Sequence, residues 1–243
     1  MNKREAKDYT RKYIDGFMVS NGFKEKKNGN NSLEYVRKNK NGYDGFAIGT
    51  VDYNPIQISR YSVYKYIDVL EKITEQINKS VKLSPPIDKD TLSIAFGYIG
   101  FHQIKNKGGA LISTYLPQMQ TEEDVKLSVD MIIDFMQKDA LPLLDRFNDI
   151  REIDKVINGD DFWFDDWQRE FNLGGNFTEK QFIIAKLVGG QKHLEEVIEK
   201  HKIAAKKYWA EQGKETNCPY LTNIETPTGF TINYLKNVPS LYE

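Results

Sequence analysis

The sequence predicts an α+β protein: an N-terminal helix and an antiparallel meander sheet, followed by a helical C-terminal half. Three observations carry this. Apolar residues recur at three- and four-residue spacing near the start and throughout the second half. Between those stretches the period shortens to two. Turn-forming residues, Asn-Gly above all, fall where the period changes. Hydrophobic residues make up 40% and charged residues 28% of the 243-residue chain, a globular mix and not a disordered one.

In the first element, Tyr9, Tyr13, Ile14, Phe17 and Met18 form a helical stripe, and Asn21-Gly22 supplies the stop. Phe23 to Lys27, Leu33 to Asn39 and Tyr43 to Val51 read as strands, with Asn41-Gly42 expected as the central pair of a type I′ hairpin turn. The next strand is expected to place Ile56, Ile58, Tyr64 and Tyr66 on one face. A second helix carries Ile67, Leu70, Ile73, Ile77 and Val81, and Pro85-Pro86 cannot continue it. Leu92 to Tyr98 and Leu111 to Leu116 read as a hairpin across the turn 105–109.

Beyond Pro117 helices dominate. Thr121 is an N-cap with three acids behind it, Pro142 should kink or end the helix it starts, and Asp149 caps another that stops at Gly159. Thr178 opens a capping box, and Gly189-Gly190 breaks that helix before one carrying Leu194, Val197, Ala205 and Trp209. The chain thus divides into an α+β region at 1–117, a helical region at 118–212 and an irregular tail at 213–243, with a strand expected at Phe230 to Tyr234.

Charge follows the same division. Residues 1–82 carry 16 Lys/Arg against 10 Asp/Glu, whereas residues 118–175 carry 6 against 15. No apolar run approaches the roughly 20 residues of a membrane helix, and the charged start lacks the apolar core of a secretory signal. One cysteine, Cys218, permits no internal disulfide and suits a reducing compartment, so a cytoplasmic protein without membrane association is expected.

Three stretches invite chemistry. Asp161, Trp163, Asp165 and Trp167 lie in an acidic aromatic run at 160–170, where paired carboxylates suit a divalent cation and a metal-dependent hydrolase. The run has no calcium-loop spacing, and a solvated loop anchored by its aromatics explains it better. His193 and His201 share a helix face, but eight residues at ~1.5 Å rise hold them too far apart for one metal. His102 has no marked nucleophile or carboxylate beside it. No catalytic residue, metal ligand or cofactor is assigned.

The third stretch is the basic sheet. Arg37 and neighbouring lysines alternate with Tyr35, Tyr61 and Tyr64, a pattern that suits single-stranded nucleic acid. Mixed acids and the strand preference of tyrosine weigh against it. A non-catalytic, protein-binding role is therefore expected first, through the tyrosine-rich sheet or the acidic 118–175 segment, and nucleic-acid binding second.

One pattern extends this. Gly22-Phe23-Lys24-Glu25-Lys26-Lys27 follows a helix, Tyr35-Val36-Arg37 stands on the next strand, and Leu141-Pro142-Leu143-Leu144-Asp145-Arg146-Phe147 follows a long helix. Over roughly residues 8–158 this resembles small bacterial α+β domains of unknown function. The resemblance implies no catalytic residues. Some such domains resemble immunity proteins that bind and block a toxin, which implies a binding role.

Overall fold

The computed structural model describes residues 1–27, 32–51, 55–81, 92–96, 101–105, 111–115, 118–159 and 177–242. The elements are α1 (Lys3–Ser20), β1 (Lys24–Glu25), β2 (Leu33–Asn39), β3 (Gly42–Val51), β4 (Gln57–Ile67), α2 (Asp68–Val81), β5 (Leu92–Phe96), β6 (Phe101–Lys105) and β7 (Leu111–Tyr115). There follow α3 (Glu122–Phe135), a π-helical turn (Met136–Ala140), α4 (Leu141–Arg146), α5 (Ile150–Ile157), α6 (Phe177–Glu211), a 3-10 turn (Pro219–Leu221) and α7 (Pro227–Leu235). This is an α+β fold, as the periodicities require. Among the described residues no helix is long and apolar enough to cross a membrane.

Two compact units form, and they interleave along the chain. One comprises Met1–Tyr66 and Ser93–Asp145; the other comprises Ile67–Leu92 and Arg146–Glu243. The grouping follows packing, not the change of texture near Pro117: α3 belongs with the sheet, and α2 with the later helices.

In the sheet unit the strand order is β1-β2-β3-β4-β5, and β6 pairs antiparallel with β7 as a separate ribbon. The ribbon corrects the expected pairing of 92–98 with 111–116. His102, Gln103 and Lys105 dilute the alternation of β6, so the sequence pattern does not mark it as a strand. The register of β2 on β3 sets Leu33 opposite Ile48, Tyr35 opposite Phe46 and Arg37 opposite Asp44. Directly opposed residues share a face, and these six line the face against which α1 packs, with Ile14 and Met18 in the core beside them. Helix α3 adds Val125, Val129 and Ile132 to the same core. Phe135 meets the Tyr61 ring at 5.6 Å.

Asn39 pairs with Gly42, so the hairpin loop is Lys40-Asn41, one residue earlier than the Asn-Gly signal suggests. Neither loop residue has positive φ, because Cys218 is the only non-glycine residue that does among those described. A type I′ turn is thereby excluded. Instead the Asn39 side chain accepts from the Asn41 N–H at 2.9 Å, and Gly42 takes up the strain at φ 149°.

The helical unit is built around the first half of α6. Residues 179–187 are buried on every side, including Glu179, Lys180, Gln181 and Lys186. Helices α2, α5 and α7 pack against α6. Gly189 and Gly190 break its regular dihedrals, Gly190 at φ 64° and ψ −154°, a region only glycine enters freely. The Leu187 carbonyl, two residues before the break, accepts from the Leu241 N–H at 2.8 Å and from Ser240 Oγ at 3.2 Å.

Two further differences have local causes. Pro142 has no N–H for the Lys138 carbonyl, and the chain meets this with the π turn 136–140 and not with a stop. The tail is not a strand at Phe230 to Tyr234. It is α7, capped by Thr226, whose Oγ1 accepts from the Gly229 N–H at 3.1 Å, with Pro227 preset in the first turn.

Candidate functional site

The outer face of the sheet is the strongest candidate surface. Its composition follows from register. Lys24 sits opposite Val36, which sits opposite Gly45; Lys38 sits opposite Tyr43, and Glu34 opposite Ala47. These residues lie on the face opposite Tyr35 and Phe46.

Strand β4 contributes Tyr64 and Tyr66 to it. Ile56 and Ile58 are buried, but so are Tyr61, Val63, Lys65 and Ile67. Tyr64 and Tyr66 are half-buried.

There the tyrosines form an ordered cluster. Tyr43 stacks on Tyr66 with centroids 4.7 Å apart and planes at 10°, and meets Tyr64 edge-on at 6.3 Å. Tyr64 lies on Gly45, where a Cβ would come within 1.9 Å of its ring. The glycine is thus the seat of the ring, an aromatic covering bare backbone. The Tyr64 hydroxyl donates to Glu34 at 2.5 Å, and Lys26 pairs with the same carboxylate at 3.0 Å. All three tyrosines are partly exposed, and Lys24, Lys26 and Lys38 are exposed.

The other residues singled out from the sequence separate. Tyr35 and Tyr61 are fully buried core residues and present no surface, which corrects their placement in a binding set. Burial raises the Tyr35 phenol well above the ordinary range. Arg37 belongs to a buried ion cluster: its guanidinium donates to Asp44 at 2.9 Å and to Asp145 at 2.6 Å and lies over the Phe23 ring. Asp44 is inaccessible to solvent and also receives Lys65 and the Asn39 amide. Burial holds Lys65 below the ordinary lysine range, against the pull of Asp44. Asp161, Trp163, Asp165 and Trp167 lie outside the described residues.

A second polar centre, unmarked in the sequence, occupies the helical unit. His193 Nε2 lies 2.8 Å from Asp154, and its Nδ1 lies 3.5 Å from Glu196. The Asn158 amide donates to Asp154 at 2.7 Å and to the Gln181 carbonyl at 3.3 Å. Gly189 permits this: a Cβ there would sit 2.6 Å from that of His193. The hydrogen bond to Asp154 raises the His193 pKa above its ordinary value.

His201, two turns on, is buried against the Tyr220 hydroxyl at 2.9 Å and the Phe182 ring, and burial pushes its pKa down to about 4. Burial, followed by the neighbouring Cys218, raises the Tyr220 phenol. Buried Cys218 therefore adjoins a histidine-bound tyrosine, a proximity that residue spacing does not reveal. Among the described residues no group of three His, Cys, Asp or Glu is placed to hold a metal ion.

No protein-family model, no curated protein and no solved structure matches this chain.

Proposed function

We propose that the protein is a non-catalytic protein-binding module and that the outer sheet face is its contact surface. One observation carries the reading: Tyr43, Tyr64 and Tyr66 form a fixed, partly exposed aromatic platform seated on Gly45. Rigid tyrosines offer large apolar area with a polar tip at little cost in side-chain entropy, and interfaces are enriched in them. An immunity-like role, binding and blocking another protein, falls within this reading. The nucleic-acid alternative loses Tyr35, Tyr61 and Arg37 to the core and its ion cluster.

The test compares proteins recovered from the source cell by the wild-type chain and by a Tyr43→Ala/Tyr66→Ala variant of matched melting temperature. The reading expects specific partners to disappear with the tyrosines. Equal recovery by the folded variant would refute it.

A further inference from the structure

We infer that the segment of the partner seated on this face is acidic, with apolar side chains among its carboxylates; the inference rests on the protein-binding reading above. The sheet register makes it specific. Lys24 flanks Val36, Lys26 flanks Glu34, and Lys38 flanks Tyr43, so three lysines share one face with the three tyrosines. Against them the described part of this face sets one carboxylate, Glu34, already engaged by Lys26 and Tyr64.

Lys24 and Lys38 are exposed and enter no ion pair among the described residues. Among the described residues no carboxylate holds either charge, so an approaching one displaces none of these. The apolar share of the face is Val36, Ala47 and the tyrosine rings. Complementarity of this kind raises association rate and selects against basic competitors.

The same geometry favours a polypeptide over a nucleic acid. A base-stacking platform needs open ring faces. Here Tyr43 spends one face on Tyr66 and meets Tyr64 edge-on, while Tyr64 is seated against Gly45. Arg37 is on the opposite face and committed to Asp44 and Asp145.

Fluorescence anisotropy on the intact chain tests this with three labelled probes: a Glu/Leu peptide, the same peptide with Gln for Glu, and an oligothymidine. At low salt the Glu/Leu peptide is expected to bind about tenfold more tightly than its Gln counterpart. The difference should shrink as salt screens exposed charges and vanish in Lys24→Glu/Lys38→Glu, whose melting temperature is checked in parallel.

Equal binding of both peptides, lost in Tyr43→Ala/Tyr66→Ala, would overturn the acidic preference and leave the protein-binding reading standing. Failure of both peptides would overturn the acidic preference too, and the recovery experiment would then judge the broader reading alone. Preferential, salt-sensitive capture of the oligothymidine would overturn both.

Discussion

In the sheet unit the buried carboxylate of Asp44 is held by Arg37, Lys65 and Asn39, whereas in the helical unit the carboxylate of Asp154 is held by His193 and Asn158. The partners differ in what can release them. Arg37 carries a guanidinium that keeps its charge at any working pH. His193 carries an imidazole that titrates near neutrality. The sheet unit therefore secures its internal charge by composition. The helical unit secures its own only over a range of pH, and the second arrangement is the one solution conditions can loosen.

The largest expected effect breaks the first arrangement. Asp44→Ala leaves Lys65 buried without its carboxylate and Arg37 with Asp145 alone. Removing one member of a buried ion set costs about 3–5 kcal/mol, because the remaining buried charge loses its compensating carboxylate. Chemical denaturation of wild type and variant measures this. A loss near that of an exposed pair, about 0–1 kcal/mol, would show that the cluster is wetter than its burial indicates.

A smaller effect sharpens the second arrangement. His193 has a folded pKa above its ordinary value. Its stabilisation is fully present below the ordinary histidine pKa of ~6.5 and is lost as pH rises through the folded value. His201 behaves oppositely. Its folded pKa is depressed to about 4 by burial, so its contribution is present above ~6.5 and lost as pH falls toward that value. Denaturation midpoints across this pH range should slope in opposite senses for the two sites. His193→Gln should flatten the neutral-to-alkaline limb, and His201→Phe the acid limb. An unchanged neutral-to-alkaline limb in His193→Gln would remove the imidazole from the account of Asp154.

The smallest effect concerns a helix end. Thr226→Ala deletes the cap of α7 and the bonds of its hydroxyl to the Tyr220 and Asn223 carbonyls. A cost of about 1 kcal/mol is expected, read from the same denaturation curves.

Legibility differed in the same way from place to place. The bounds of β2 and the stripe of α2 stand in the sequence because one face of each is buried and the period shows it; in α1 the buried face is Ala6, Thr10, Ile14 and Met18, and the expected Tyr9, Tyr13 and Phe17 are half-buried beside it. Helix α7 was legible by the wrong signal. Phe230, Ile232 and Tyr234 alternate like a strand, yet Thr226-Pro227 is a stronger statement about the backbone than three alternating side chains. The tyrosine face was half legible. Tyr64 was marked out, but tyrosine spacing alone does not say which ring enters the core, so buried Tyr61 was grouped with the surface. Asp154 and His193 are 39 residues apart and only tertiary packing joins them.

The break at Gly189-Gly190 has a consequence for measurement. A helix interrupted in the interior ordinarily strands a carbonyl, yet that of Leu187 is taken up by a distant stretch of backbone at Leu241. The Leu241 amide proton is therefore a built-in gauge of the joint. Its exchange with deuterated solvent should be slow while the bend is intact and should quicken when the bend opens, even if the rest of α6 stays folded.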